Sequence, residues 1–231
     1  MTNILHKWDI TVEELSDAIL ANGSLRGMVF GYVAEIKLRN LLNASGRIES
    51  AIKDDDHDRK KKGDLRIVYR GNEFKVECKS LQTAQNRQLL NGTFQGGAQV
   101  DGSDRRTVLL PDGSEVVTTN LLVGQFDVLA VNCFTFEDKW HFAFAKNTDL
   151  PRSTHKAYTE YQRQHLLATM VRVTWPPSGL LTDNIFEVLD ALVEEREKGT
   201  VPDVVAVEET SGSEIALDPK PVTVAPKADD V

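Results

Sequence analysis

Apolar residues recur at helical spacing close to the N-terminus. Val12, Leu15, Ile19 and Leu20 fall on one side of a helix over residues 12–20. Asn22-Gly23 then reads as a turn, and Ser24 as the N-cap of a longer helix reaching about residue 43. Its apolar positions include Met28, Tyr32, Val33, Ile36, Leu38 and Leu42, and Gly46 marks its end region. From residue 64 the period shortens to two. Residues 64–69 and 73–79 read as two strands about a Gly71-Asn72 turn. Along the second strand Phe74, Val76 and Cys78 face one way, and Lys75, Glu77 and Lys79 the other.

Residues 80–104 are polar and rich in Gln, Asn and Gly, the composition of a short helix or loop with little core. Residues 107–110 and 115–119 flank Pro111-Asp112-Gly113 and predict a second hairpin. Two strongly apolar strands follow at 126–134 and 140–145. After Pro151 the pattern predicts a helix over 153–170, a short strand at 171–175 and a last amphipathic helix over 183–198. Beyond Gly199 the chain turns to Pro, Val, Asp and Glu without period. That predicts a domain over residues 1–199 and a disordered acidic tail over 200–231.

Charge changes this picture in one respect. The net charge is -8, which argues against a polyanionic partner. Residues 201–231, however, hold seven acids against two lysines, so the remaining body stands at only -3. A local basic patch is what phosphates meet, and residues 53–62, all charged except His57, end in Arg59, Lys60, Lys61 and Lys62. That run reads either as a solvated loop or as a contact to a phosphate backbone. No stretch reaches 18 uncharged apolar residues, and the N-terminus lacks a signal-peptide apolar region, so a cytoplasmic protein is expected. Cys78 and Cys133 lie in apolar strand-like runs and read as two reduced, buried thiols.

The chemistry-bearing constellation is Gly63-Asp64, twelve residues, then Glu77-Cys78-Lys79. Hydrolysis of a phosphodiester calls for a divalent cation that polarises the phosphate and acidifies a water. Mg²⁺ takes oxygen ligands, usually one or two carboxylates plus water. A carboxylate at the head of one strand and another on its hairpin partner can meet at one ion. A lysine two residues further along points to the same face and can orient the water or stabilise transition-state charge. With 35 acids and 27 bases such a pattern arises readily by chance, so an ordinary solvated strand face is the competing reading. The strand context favours a site. Glu35 lies on or beside the apolar stripe of the long helix and needs a partner. Either it is a third acid of the site, or it is held in a salt bridge to a residue such as Arg39.

Asp64, Glu77 and Lys79, with Glu35 on the preceding helix, resemble the PD-(D/E)xK nuclease superfamily, which includes type II restriction endonucleases. The resemblance spans roughly residues 24–175. It implies an α/β, restriction-endonuclease-like fold: a central mixed β-sheet flanked by helices. It also implies a Mg²⁺ cofactor (Mn²⁺ may substitute), with Asp64, Glu77 and Glu35 as metal ligands and Lys79 as the catalytic water-orienting or charge-stabilising group. Gly63 departs from the family's name-giving proline. The segment 96–106 and the strand beginning Phe126-Asp127 also look like restriction-enzyme-type proteins, in which the insertion after the catalytic lysine approaches DNA. Gln82, Gln99, Arg105 and Arg106, with Lys61 and Lys62, are the candidate DNA contacts, each weighed against an ordinary polar loop. Gln85, and Arg152, His155 and Lys156 at the expected helix start, are weaker candidates.

Other chemistries find little footing. No Gly-Lys-Ser/Thr follows the glycines, no two histidines stand four apart, and there is no Gly-x-Ser-x-Gly. The expectation is a Mg²⁺-dependent endonuclease of restriction type on double-stranded DNA, acting as a homodimer and paired with a cognate DNA methyltransferase. A repair or recombination nuclease on branched or single-stranded DNA is the second reading. A non-catalytic DNA-binding protein on the same fold is the third.

Overall fold

The computed structural model describes residues 3–53 and 63–199, apart from the side chain of Thr83. The basic half of the charged run, with Lys61 and Lys62, and the acidic tail lie outside the described residues. Three helices open the chain: α1 (Ile4–Trp8), α2 (Val12–Ala21) and α3 (Gly23–Ala44). Thr11 and Glu14 form a reciprocal capping box that starts α2. The long helix starts one residue before the expected cap: Asn22 takes that place, without a side-chain hydrogen bond.

Strands β1 (Ser50–Ile52), β2 (Leu65–Tyr69), β3 (Asn72–Ser80), β8 (Val128–Asn132) and β9 (Phe142–Lys146) form a mixed sheet in the order β1-β2-β3-β8-β9. Only the β3–β8 pair is parallel. Every residue of β8 is buried, as suits a central strand covered on both faces. Helix α3 and the last helix, α6 (Ile185–Glu197), cover one face. Leu38 and Leu42 meet Phe74, Val76, Phe144, Leu189 and Leu192 there. Burying each such side chain contributes about 1.5–3 kcal/mol.

The hairpin turn differs from the sequence expectation. Tyr69 pairs with Asn72, so Arg70 and Gly71 are the two turn residues, at φ 49° and 71°. A two-residue turn with both φ positive matches the twist of its strands. A turn at Gly71-Asn72 would slide every cross-strand pair by two, setting Phe74 against Tyr69 and Val76 against Ile67 while keeping their face, and would demand the positive φ of Asn72 instead of Arg70.

Residues 80–104 depart further. They hold a short 3-10 turn (Thr83–Gln85), β4 (Arg87–Gln88), β5 (Phe94–Gln99) and the start of β6 (Asp101–Leu109). Strands β4 and β5 join β10 (Met170–Trp175) in a second sheet, β10-β5-β4, over the other face of the main sheet. Ala98, Val100, Val171 and Val173 meet Leu129, Val131, Ala143 and Phe136 in a second core. Small residues permit this approach: a Cβ at Gly96 would stand 3.1 Å from the Phe136 ring. The central sheet is thus flanked by helices on one side and by a small sheet on the other.

The hairpin about Pro111 forms as expected, between β6 and β7 (Glu115–Asn120). Between β8 and β9 lies α4 (Phe134–Glu137), a single turn that shortens both expected strands. The expected helix over 153–170 shrinks to α5 (Glu160–His165), which begins where Thr159 and Gln162 form a capping box. Residues on either side bridge to other strands instead: Arg152 to Leu167, and Leu122 to Leu166. Among the described residues no helix is long and apolar enough to cross a membrane. Both cysteines are free thiols, Cys133 buried and Cys78 half-buried.

Candidate active site

The β2–β3 hairpin brings Asp64 and Glu77 together. Asp64 stands one residue before β2, and its N–H donates to the Val76 carbonyl at 2.9 Å. Its carboxylate accepts the Cys78 N–H at 2.7 Å. Gly63, just before it, has φ 92°, and a Cβ there would lie 3.3 Å from both Lys75 Cβ and the Val76 carbonyl oxygen. Proline locks φ near -65°, so it cannot occupy this position in this backbone. The backbone at this position thus accounts for glycine before Asp64.

On β3, Glu77 and Lys79 stand opposite Leu129 and Val131 of β8 in the parallel register. The Leu129 and Val131 side chains belong to the second core, so Glu77 and Lys79 point toward the small sheet. Glu77 is only 9% exposed. Its carboxylate takes Lys79 Nζ as partner at 2.8 Å. A buried carboxylate requires such a partner.

Burial is the largest cause that pushes the Asp64 carboxyl up, to about 8, with the Glu77 charge adding to it. Lys79 and the Cys78 N–H pull the other way, and Glu35 adds a smaller upward push. Burial alone would lower Lys79, but Glu77, Asp64 and Asp101 reverse this and leave its ammonium raised. Burial, with Asp64, Glu35 and Glu77 beside it, holds the Cys78 thiol well above its usual range. The environment thus disfavours the thiolate, the nucleophilic form.

Glu35 reaches this cluster from α3, and its carboxylate is salt-bridged to Lys53 at the end of β1. Of the two sequence readings for Glu35, the ion pair is seen, with Lys53 in place of Arg39, and the carboxylate also acts on Asp64 and Cys78. Lys53 Nζ stands 4.2 Å from the centre of the Tyr32 ring as well. Sequence reasoning singled out neither Lys53 nor Asp101 as a site residue. Lys53 sat inside a charged run with no period, and Asp101 in a segment taken for loop.

The donor set suits a hard cation: two convergent carboxylates, Asp64 and Glu77, where Mg²⁺ asks for one or two plus water. Among the described residues no group of three His, Cys, Asp or Glu side chains is gathered for a metal. Glu35, held by Lys53, stands as an outer acid in this arrangement.

The expected DNA contacts divide. Gln82 Nε2 donates to Gln99 Oε1 at 2.9 Å, and both residues are exposed. Arg105 is exposed on β6. Arg106 instead donates to the carbonyls of Thr119 and Asn120 and to Gln125, which braces β7 and the following turn. Arg152 donates to the Leu150 and Thr148 carbonyls in a loop, not at a helix start.

Residues that the sequence reading passed over join the first pair. In the antiparallel register Gln99 lies opposite Met170, Gly97 opposite Arg172, and Gln95 opposite both Thr174 and Arg87. These share the outer face of the small sheet. Arg87 donates to Gln95 at 3.0 Å. A cleft of about 520 Å³ opens there, lined by Gln85, Arg87, Gly97 and Arg172 among others, with no acid in its wall. A Cβ at Gly97 would meet the Gln85 side-chain oxygen and stand 2.7 Å from Met170 Sδ, so glycine leaves room for these two side chains to lie over the strand.

No protein-family model matches the sequence, and no curated protein matches it. Among solved structures the chain is similar to a bacterial homing endonuclease, I-Ssp6803I, with a TM-score of 0.35 and 13% identity, over 74% of this chain and 96% of that one. A likeness at that level assigns no function.

Proposed function

We propose that the protein is a Mg²⁺-dependent endonuclease of double-stranded DNA, of restriction type and PD-(D/E)xK character. The observation that carries the reading is the Asp64–Glu77–Lys79 cluster. A buried carboxylate (Glu77), a half-buried one (Asp64) and an ammonium converge at the mouth of one hairpin, with the Asp64 carboxyl pushed up to about 8 by burial and by Glu77. Bringing two carboxyl groups together in a poorly solvated spot raises the pKa of one of them, and such perturbed groups cluster at functional sites.

Asp64 and Glu77 would hold the cation. When bound, Mg²⁺ polarises the scissile phosphate and lowers the pKa of the attacking water. Lys79, two residues beyond Glu77 on the same face, orients that water and offsets charge on the phosphorane-like transition state. Glu35 and Lys53 hold the outer edge of the site and set its net charge.

The acid-free outer face of the small sheet, with Arg87, Arg172 and the Gln82–Gln99 pair, supports duplex DNA as the substrate. Arginine and glutamine are the side chains that read guanine and adenine edges. A restriction-type protein of this kind would act alongside a cognate methyltransferase.

The test is incubation of purified protein and Mg²⁺ with a varied duplex library. Discrete cuts by the wild type and none by Asp64→Ala are expected. Equal cutting by both, or none by either, would overturn the reading.

A further inference from the structure

The outer face of the small sheet is hollowed. Strand β5 runs along the floor of its cleft. Met170 and Arg172 of β10 form one wall, and Ala84, Gln85 and Arg87 the other. The second wall is pinned in place. Gln82 N–H donates to the Gly97 carbonyl at 2.8 Å, and Gln85 N–H to the Gln82 carbonyl at 3.0 Å. Asn86 Nδ2 donates to Thr135 Oγ1 at 2.6 Å, which ties the wall to α4. The cleft is therefore preformed, and its volume of about 520 Å³ is that of a small-ligand site, roughly 300–1,000 Å³.

The chemistry of the walls narrows what fits. No acid lines the cleft. Among the described residues neither the Arg172 guanidinium nor the Gln85 side-chain amide has a hydrogen-bond or ion-pair partner. Met170 is 38% exposed, and a thioether packs favourably against an aromatic ring. A guanidinium, an amide and a thioether around one recess match the phosphate, the polar edge and the face of a single nucleotide.

We infer that the cleft holds one unpaired nucleotide of a DNA strand, turned out of the base stack. The inference rests on the DNA reading above and deepens it. Paired bases stay stacked and show only their edges in a groove, which leaves a recess of this kind empty. A nucleotide turned out of the stack fills it. Gln85 follows Lys79 by six residues, a span of at most about 20 Å. Cleft and candidate active site can thus meet the same strand.

The test uses the full-length Asp64→Asn chain in chelator, so that nothing is cut, isotope-labelled at its methionine methyl groups. Met1, Met28 and Met170 give the signals. The probes are a fully paired duplex, the same duplex with a single extra deoxyadenosine in one strand, and free deoxyadenosine monophosphate. The duplex with the unpaired nucleotide should bind at least about tenfold tighter than the paired one, because its extrusion breaks no pair. It should also move the Met170 signal through the ring current of the base and leave Met28 in place. Free deoxyadenosine monophosphate should move Met170 only at millimolar concentration. Arg172→Ala should bring the affinity ratio of the two duplexes to about one, and so should Ala84→Trp, which fills the cleft from an exposed position. Equal binding of the two duplexes, an unmoved Met170 signal, or a ratio that survives both substitutions overturns this inference and leaves the nuclease reading to its own cleavage test. Failure to bind either duplex overturns both. Tighter binding of the free nucleotide than of the unpaired one overturns the assignment to a DNA strand.

Discussion

The Asp64 carboxylate accepts the backbone N–H of Cys78 at 2.7 Å, across the open end of the β2–β3 hairpin. This one bond fixes the acid beside the two strand residues, Glu77 and Lys79, that flank its donor. It also keeps the carboxylate aimed inward although burial opposes its charge. The candidate site is therefore held by backbone geometry rather than by a flexible loop.

A pH dependence follows from Asp64. Its carboxyl is raised in the folded chain from 3.8 to about 8, chiefly by burial. A raised group contributes stability that is fully present below its unfolded value and is lost as pH rises through its folded value. Metal-free wild type should therefore lose thermal stability relative to Asp64→Asn as pH goes from about 5 to about 9. Thermal unfolding in chelator checks this, and parallel curves would contradict it. Metal binding needs the carboxylate, so calorimetry in buffers of different ionisation enthalpy should show proton release near neutral pH.

Lys79→Met separates catalysis from folding. It removes the partner of buried Glu77 and should cost about 1–3 kcal/mol in metal-free denaturant unfolding. Saturating Mg²⁺ should recover part of that loss, because the cation then faces the same carboxylate. Cleavage should still fall about 100-fold or more under those conditions. Cleavage at the wild-type rate would remove Lys79 from the proposed mechanism.

Gly63 tests the backbone that carries the site. Alanine at φ 92° should cost about 1–2 kcal/mol, and proline more. Both should weaken Mg²⁺ binding, since Asp64 follows directly. A Gly63→Pro chain as stable and as active as wild type would show that the hairpin mouth tolerates the other backbone.

Arg87→Ala and Arg172→Ala test the outer face of the small sheet. Both side chains are exposed, so stability should change by less than about 0.5 kcal/mol. Duplex affinity, measured with an Asp64→Asn background to prevent cutting, should fall. The slope of log affinity against log salt should drop by about one for each phosphate that the variant no longer neutralises. An unchanged slope and unchanged site preference would place the DNA elsewhere.

The pattern of residues alone determined a good deal. Strict alternation from Phe74 to Lys79 identified β3 and put Glu77 with Lys79. The capped, periodic stretches identified α2, α3 and α6, and Pro111-Asp112-Gly113 identified the β6–β7 hairpin. These features rest on interactions between near neighbours, so their signals are written locally.

Other features depended on partners far along the chain. Gly96, Gly97 and Ala98 read as loop because small residues carry no period, yet they form a strand that approaches Phe136 and pairs with residues 170–175. Residues 153–159 and 166–170 have helical composition, but Arg152, Leu166 and Leu167 are drawn into strand bridges. Glu35 finds Lys53, eighteen residues on, rather than Arg39 one turn away. The acid-free cleft joins Arg87 to Arg172 across eighty-five positions. Local propensity sets which short segments form, while burial against distant partners decides which of them become strands and which charged groups share a site.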